Sequence, residues 1–185
     1  MSKISKPIYR ITVIAMCIAF FTVCAWISLP FSISFSFQIF GIFLVSSIFG
    51  VYISALSVIG YILLGIIGLP VFSAFTAGFS ALAGAGGGYI IGFLISAFII
   101  SAFSRFYQDS AALHATVMML SLVACYICGS VWYAFIFNHS NTIPFWNVLL
   151  ICVLPYIIPD VLKIFLVLII YKKLNPYFKR LCAKL

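Results

Sequence analysis

The feature that most constrains this chain is the absence of any charged side chain between Arg10 and Arg105. Over all 185 residues, 66% are hydrophobic and 6% are charged, and the mean hydropathy is +1.32. A soluble domain carries roughly a quarter of its residues as Asp, Glu, Lys or Arg. Because no water-facing surface can be built from this composition, we expect an all-α integral membrane protein whose main solvent is the lipid bilayer.

Prolines, glycines and short polar stretches divide the apolar sequence into spans. A helix needs about twenty residues to cross a hydrocarbon layer about 30 Å thick. The sequence predicts six transmembrane helices in a single membrane domain, 1–185, at residues 9–29, 38–49, 51–68, 87–103, 112–137 and 146–171. Residues 69–86 are rich in Gly, Ala, Ser and Phe and predict an irregular or re-entrant loop.

The basic residues predict the orientation, because Lys and Arg in short loops prefer the cytoplasmic side. Ten bases stand against two acids, Asp109 and Asp160, and the net charge is +8. Six crossings with both termini in the cytoplasm leave the outer loops uncharged and place nine bases inside: Lys3, Lys6, Arg10, Arg105, Lys172, Lys173, Lys179, Arg180 and Lys184. These bases flank apolar runs, which indicates anionic lipid of the plasma membrane as their partner and argues against nucleic acid.

The tenth base, Lys163, lies inside the sixth predicted helix, three residues after Asp160. At helical spacing the two side chains point to one side. Counted from Lys172, Asp160 is about 18 Å deep, given a rise of about 1.5 Å per residue. A lone charge at that depth costs at least about 2.5–3.5 kcal/mol, so the pair is the first candidate for a functional site. The alternative is that the two charges only hold this helix against its neighbours.

Two prolines precede the pair, in the segment LPYIIPDVLK. Pro155 and Pro159 lack an N–H donor, which frees the carbonyl groups of Ile151 and Pro155. Broken membrane helices of this kind are tolerated where they line a cavity or a bound solute. A simple kink satisfied by neighbouring helices is the other interpretation.

Glycines and aromatic residues alternate between Phe72 and Gly92. Bare backbone and an aromatic wall with a few polar groups are typical of a small-molecule pocket, and the candidates here are Phe72, Phe75, Gly78 and Tyr89. Close helix packing through Gly84, Gly88 and Gly92 explains the same pattern. Gln38, at the mouth of the second helix, either reaches this pocket or caps a helix end.

Other patterns point away from redox, metal and nucleotide chemistry. Cys125 and Cys128 lie in an apolar helix, where packing is the simpler explanation. His114 and His139 have no ligand-spaced companion, and the phosphate-binding motif G-x-x-x-x-G-K-[ST] is absent from the sequence. We therefore expect no metal and no cofactor.

Three segments taken together resemble the BioY family, the biotin-binding S components of energy-coupling-factor (ECF) transporters. They are GYILLGIIGLPVFSAF from Gly60, GGYIIGF from Gly87 and LPYIIPDVLK from Leu154. The family's usual Pro-Thr before the glycine pair is Ala85-Gly86 here, and Val51 replaces the Arg or Pro that commonly follows Gly50. The resemblance implies the S-component fold of six helices with both termini in the cytoplasm.

The resemblance also implies an outward-opening biotin pocket, in which Asp160 and Lys163 match the family's polar pair. Our sequence hypothesis pairs the valerate carboxylate of biotin with Lys163 and its ureido N–H groups with Asp160 or the freed carbonyls. The rings of biotin would then lie among the aromatic candidates, which are Phe72, Phe75, Tyr89 and Trp146.

The partners follow from the same resemblance. Ala15 and Ala19, a smooth stripe on the first helix, match the alanine motif by which S components dock on a transmembrane coupling subunit that carries two ATPases. The implied cycle is capture of biotin outside, docking through the first helix, and toppling of the whole subunit.

Alternative functions remain open from the sequence. One is an S component for another vitamin, such as riboflavin or thiamine. A membrane enzyme that uses Asp160 or Lys163 is opposed by the lack of a second acid, a metal-spaced His pair or an oriented nucleophile. A purely structural membrane subunit is a further alternative.

Overall fold

The computed structural model describes residues 5–29, 35–106, 110–137 and 144–182. This part of the chain is helical except for two short strands and the connecting turns. The expectation of an all-α fold is therefore confirmed. Helix formation is the outcome that lipid imposes, because it pairs the backbone polar groups within each segment.

The main helices overlap the predicted ranges, and two of them share the last range. They are α1 (Ser5–Trp26), α2 (Gln38–Ile48), α3 (Val51–Ile67), α5 (Gly87–Ala102), α6 (Ala111–Trp132), α7 (Phe145–Cys152) and α8 (Leu154–Cys182), and a short α4 (Phe79–Ala83) precedes α5. A π-helical turn, Tyr133–Phe137, extends α6. Three segments are long and apolar enough to cross a membrane, namely Pro7–Trp26, Ala111–Phe137 and Trp146–Tyr177, and α2, α3 and α5 are shorter apolar helices.

Helices α5 and α6 pack closely because glycines leave room for the neighbouring backbone. A Cβ atom at Gly88 would lie 2.3 Å from the Cβ of Trp132, and one at Gly92 would lie 2.9 Å from the Sγ of Cys125. Across the same contact, a Cβ at Gly129 would lie 2.4 Å from the ring of Tyr89. For Gly88 and Gly92 the packing interpretation is therefore the observed one.

The last predicted helix is interrupted, which corrects the expectation of one continuous helix over residues 146–171. Its N-terminal part, α7, ends at Cys152, and α8 begins at Leu154. Pro155 brings no N–H to the ladder, and the N–H of Tyr156 bonds the carbonyl of Val153 at 3.0 Å instead of reaching back to Cys152. Pro159 is accommodated within α8.

The connection between α1 and α2 contains a pair of strands that the hydropathy pattern did not predict. Strands β1 (Ser28–Leu29) and β2 (Phe35–Ser36) pair antiparallel, with Ser28 opposite Ser36. They are short enough that the alternation typical of strands has no room to appear in the sequence.

The segment 69–86 is also more ordered than predicted. It contains a 3-10 turn, Ser73–Phe75, and the short helix α4. Ala74 and Phe75 have φ angles of +55° and +58°, a left-handed backbone conformation that residues other than glycine rarely adopt. The indole N–H of Trp26 at the end of α1 donates to the carbonyl of Pro70 at 2.8 Å, so the segment is attached to α1.

Candidate functional site

The predicted charge pair forms a buried ion pair on α8. The Nζ of Lys163 lies 2.7 Å from the Oδ1 of Asp160, and the two residues are 4% and 2% exposed. The second carboxylate oxygen, Oδ2, accepts a hydrogen bond from the hydroxyl of Tyr126 at 2.7 Å. Both carboxylate oxygens therefore have a partner, which offsets the cost of removing the charge from water.

The ammonium group of Lys163 has further partners on the segment that leads into α2. It donates to the carbonyl of Ser36 at 2.7 Å. It also lies 3.8 Å from the centroid of the Phe35 ring and 5.5 Å from that of Phe37, both within the range of a cation–π contact. The strand pairing brings this backbone to α8, so residues remote in sequence complete the environment of the charge.

The ion pair lies in the wall of a cavity of about 320 Å³. Segments before and within α2, the loop after α3, and helices α4, α5, α6 and α8 contribute to this wall. The residues that line it are Phe35, Ser36, Gln38, Ile39, Phe72, Ser73, Thr76, Ser80, Ala81, Gly84, Ala85, Gly86, Tyr89, Ile90, Phe93, Tyr126, Tyr156, Asp160 and Lys163. The surface combines aromatic faces with a few convergent polar groups, as small-molecule sites do.

Aromatic contacts shape this wall. The rings of Tyr89 and Tyr126 meet edge to face at 6.5 Å, and those of Phe35 and Tyr156 stack at 6.4 Å. The hydroxyl of Tyr89 donates to the carbonyl of Cys152, the acceptor that the break between α7 and α8 exposes. The carbonyl released at the break is thus that of Cys152, not one of the two predicted from the prolines, Ile151 and Pro155, and a tyrosine of α5 already occupies it.

Gln38 lies on the cavity wall, and its side-chain amide forms hydrogen bonds to other residues of the protein. Its Oε1 accepts from the hydroxyl of Ser36 at 2.8 Å, and its Nε2 donates to the hydroxyl of Tyr61 at 2.5 Å. Tyr61 in turn donates to the carbonyl of Val71 at 2.8 Å. The capping role considered from the sequence is not observed, because the N-cap of α2 shows no side-chain hydrogen bond.

The structure brings some of the predicted site residues together and separates others. Asp160, Lys163, Gln38, Phe72 and Tyr89 line the cavity. The remaining three do not line it; Phe75 stacks on Trp26 with the ring centroids 5.1 Å apart, Gly78 precedes α4 with a φ of +83°, and Trp146 is 70% exposed on α7.

The position of Phe75 has a simple cause. The left-handed backbone at Ala74 and Phe75 turns the ring outward, where it is 61% exposed. Phe72 instead points inward, 2% exposed, into space that Gly65 leaves open. Local sequence does not distinguish these two phenylalanines, because the turn that separates them depends on contacts with α1 and β1.

Several residues of the site had no clear signal in the sequence. Tyr126, Tyr61 and Phe35 look like ordinary aromatic residues of apolar segments, and only the tertiary contacts join them to polar groups. Tyr156 is the exception, because it lies four residues before Asp160 and so shares its helical face.

The weaker candidates behave as packing groups. Cys125 is buried without a disulfide, and its Sγ would be 2.9 Å from a Cβ at Gly92. Within the part of the chain that the structure describes, no group of His, Cys, Asp or Glu is arranged to hold a metal ion. His114 is buried with its Nε2 2.9 Å from the Oγ of Ser47. Asp109 and His139 lie outside the described residues.

The predicted docking residues Ala15 and Ala19 are both exposed on α1. The larger side chains on this exposed surface are also apolar, with Ile11 and Met16 exposed by 67% and 68%. The basic residues predicted for the chain ends fall partly outside the described range, including Lys3 and Lys184, whereas Lys172 and Lys173 are exposed in the C-terminal half of α8.

Known proteins are similar to this chain in sequence and in fold. A probable biotin transporter BioY from Pyrococcus horikoshii is 28% identical over 167 residues, which cover 90% of this chain and 96% of that protein. A biotin transporter BioY from Thermotoga maritima is 43% identical over 83 residues, 44% of this chain and about half (49%) of that protein's length.

A solved structure, described as the S-component for biotin from an ECF-type ABC transporter, has the same fold. It superposes with a TM-score of 0.83 at 22% identity, over 95% of each chain. The model of the BioY family matches residues 1–180. Since this match extends over nearly the entire sequence, the chain belongs to the BioY family.

Proposed function

We propose that this protein is the biotin-binding S component of an ECF transporter, a transporter subunit rather than an enzyme. The observation that carries the proposal is the fully bonded Asp160–Lys163 ion pair in the wall of a 320 Å³ cavity. Membership of the BioY family and the names of the relatives supply the ligand. A buried pair of this kind is seldom retained for stability alone, because well-packed apolar residues usually serve as well.

The charge balance favours one orientation of biotin. Asp160 already neutralises Lys163 at 2.7 Å, so the part of the cavity wall that the ion pair forms has no net charge. The neutral ureido group, with two N–H donors and one carbonyl acceptor, matches a neighbouring carboxylate and ammonium better than a second carboxylate does. We therefore place the ureido ring at the pair, as the sequence hypothesis did for Asp160, but move the valerate carboxylate away from Lys163.

The size of the cavity bears on the choice of vitamin. Ligand pockets typically have volumes of about 300–1,000 Å³, and this cavity is at the lower end of that range. The volume suits a compact bicyclic ligand such as biotin and is small for the larger riboflavin. Competition by riboflavin and by thiamine in the titration described below tests the alternative.

For the membrane topology we propose six crossings of the plasma membrane with both termini in the cytoplasm. The support is the distribution of charge in the sequence, together with six apolar helical regions in the structure. The whole chain, 1–185, then forms one membrane domain with the loop 69–86 over the pocket. The loops after α1 and α3 lie on the outer side, where capture of biotin takes place.

The proposed partners are the transmembrane coupling subunit and the two ATPases of an ECF module. ATP hydrolysis is assigned to these partners. The surface proposed for docking is the exposed face of α1 that contains Ala15 and Ala19, since small side chains permit close approach of a second helix. Toppling of the docked subunit then delivers the vitamin inward.

Titration of the purified protein with biotin tests the function. We expect Asp160→Asn and Lys163→Ala each to weaken binding by at least about tenfold, because each leaves the other charge buried and unpaired, at a cost of about 1–3 kcal/mol or more. Lys172→Ala, which removes an exposed base, is the control and should bind as the wild type does. Equal affinity in all four proteins would contradict the proposed site.

Biotin methyl ester tests the orientation in the same assay. With the ureido ring at the ion pair, we expect the wild type to bind the ester nearly as well as biotin. A loss for the ester in the wild type that disappears in Lys163→Ala would instead assign the carboxylate to Lys163.

A further inference from the structure

A continuous series of hydrogen bonds leads from the ion pair to the loop after α3. Lys163 donates to the carbonyl of Ser36 at 2.7 Å, and the Ser36 hydroxyl donates to the Oε1 of Gln38 at 2.8 Å. The Nε2 of Gln38 donates to the hydroxyl of Tyr61 at 2.5 Å, and Tyr61 donates to the carbonyl of Val71 at 2.8 Å. We call this series the relay. It joins α8 to β2, α2, α3 and the loop at Val71, which follow one another in the chain more than 80 residues before α8.

Beyond Lys163, the hydrogen bonds continue through Asp160 to α6, and we count these bonds as part of the relay. Asp160 accepts from Lys163 through Oδ1 and from the hydroxyl of Tyr126 through Oδ2, both at 2.7 Å. The side chain of Tyr126 is therefore connected to the backbone at Val71 through five other residues, and its own hydroxyl donates to Asp160.

Burial makes the links of the relay depend on one another. Ser36, Gln38 and Tyr61 are 7%, 5% and 0% exposed. In such surroundings a broken link leaves a polar group without water to replace its partner, and a satisfied network is stronger than its separate bonds. Each link is thus favoured by the presence of the next.

The loop at the end of the relay is strained and attached to the strand pair. We call residues 70–76 the cover. The N–H of Ala74 donates to the Oγ of Ser28 on β1 at 3.1 Å, and α1 holds the cover through the bond of the Trp26 indole to Pro70. Ala74 and Phe75 keep left-handed φ angles that such residues adopt only when the surroundings impose them.

We propose that Gln38 and Tyr61 are positioning residues that couple the Asp160–Lys163 pair to the cover. Neither needs to contact the ligand. A ligand bound at the pair holds Lys163 against the carbonyl of Ser36, which aligns Ser36 for Gln38, and Gln38 keeps the Tyr61 hydroxyl directed at Val71. Occupation of the cavity therefore orders residues 70–76, and loosening of the cover weakens the hold on the ligand. The inference rests on the proposed function for the identity of that ligand.

The first test is a double-mutant cycle on the biotin affinity of the full-length protein, with Tyr61→Phe and Tyr126→Phe. Each substitution removes one hydroxyl and keeps the ring. Independent effects multiply within about twofold, whereas residues of one network depart from the product by at least about threefold. We expect such a departure for this pair. The control cycle combines Tyr61→Phe with Tyr171→Phe, a buried tyrosine that packs on His114 with ring centroids 4.6 Å apart and does not line the cavity; it should be multiplicative.

The second test measures hydrogen exchange of residues 69–78 with and without saturating biotin. At biotin concentrations that saturate each protein, we expect biotin to slow exchange there in the wild type and in Tyr171→Phe, and to have no such effect in Tyr61→Phe. A multiplicative first cycle, or slowing in Tyr61→Phe equal to that in the wild type, would overturn the coupling.

Two provisions keep the test decisive. If Tyr61→Phe does not fold, Ser36→Ala takes its place in the cycle. If the wild type binds no biotin, the proposed function fails, and the relay is judged on the ligand-free protein. There Tyr126→Phe must speed exchange in residues 69–78 at least about threefold more than Tyr171→Phe does, and equal rates would reject the relay.

Discussion

The ion pair on α8 shows how single residues in lipid are kept charged. Asp160 and Lys163 are almost fully buried, and each has a second partner besides the other, Tyr126 for the acid and Ser36 for the base. Removal of one member is costly because the other charge remains without compensation. The spacing of the two residues was visible in the sequence, but the partners that make the burial tolerable come from α6 and β2.

Gly88 is required because it has no side chain. A Cβ atom there would lie 2.3 Å from the Cβ of Trp132 and 2.5 Å from the carbonyl oxygen of Cys128. We expect Gly88→Ala to lower the free energy of unfolding by about 1–3 kcal/mol, because α5 and α6 must separate. Gly50→Ala is the matched control, since nothing lies within 4 Å of its added Cβ. Thermal unfolding in detergent measures both, and equal melting temperatures would contradict the packing role.

At the scale of elements, the break between α7 and α8 is stabilised by a helix outside it. The N–H of Tyr156 bonds Val153, so the carbonyl of Cys152 is left for the hydroxyl of Tyr89. The prolines made an interruption foreseeable. Its place, at Val153, follows from the partner that α5 offers.

Tyr89→Phe removes that partner and keeps the ring. We expect it to destabilise the protein by about 1–3 kcal/mol, the usual cost of leaving a buried acceptor without its donor. Biotin affinity should also fall, because Tyr156 follows the break and lines the cavity. Tyr52→Phe, at a tyrosine that is 62% exposed, is the control for both thermal unfolding and titration. Unchanged stability of Tyr89→Phe would show that the break holds without the tyrosine.

For the whole molecule, the distribution of apolar side chains fits a protein whose outer surface contacts lipid. The apolar face of the protein is its outer surface, and large side chains such as Ile67, Ile158 and Phe165 are 58–77% exposed, as expected where lipid replaces water. The short helices α2, α3 and α5 have many buried residues and are thus covered in part by the longer ones.

Cysteine labelling from outside the cell tests the proposed orientation. In a protein whose native cysteines are replaced, we expect Asn147→Cys, exposed at the start of α7, to react with a membrane-impermeant maleimide on intact cells. Lys173→Cys, exposed in the C-terminal half of α8, should react only after permeabilisation, because basic segments stay in the cytoplasm. Labelling of both sites on intact cells, or the reverse pattern, would exclude an even number of crossings with both termini inside.

Properties that depend on neighbours along the chain could be predicted from the sequence alone. Lipid as solvent, the helical ranges and the shared side of Asp160 and Lys163 all follow from composition or from the helical period. Properties that depend on contacts between distant segments could not. Which of Phe72 and Phe75 faces the cavity, where the last helix breaks, and the use of Gln38 as a link to Tyr61 are set by packing, because a side chain buried in lipid takes whichever partner the neighbouring helix presents.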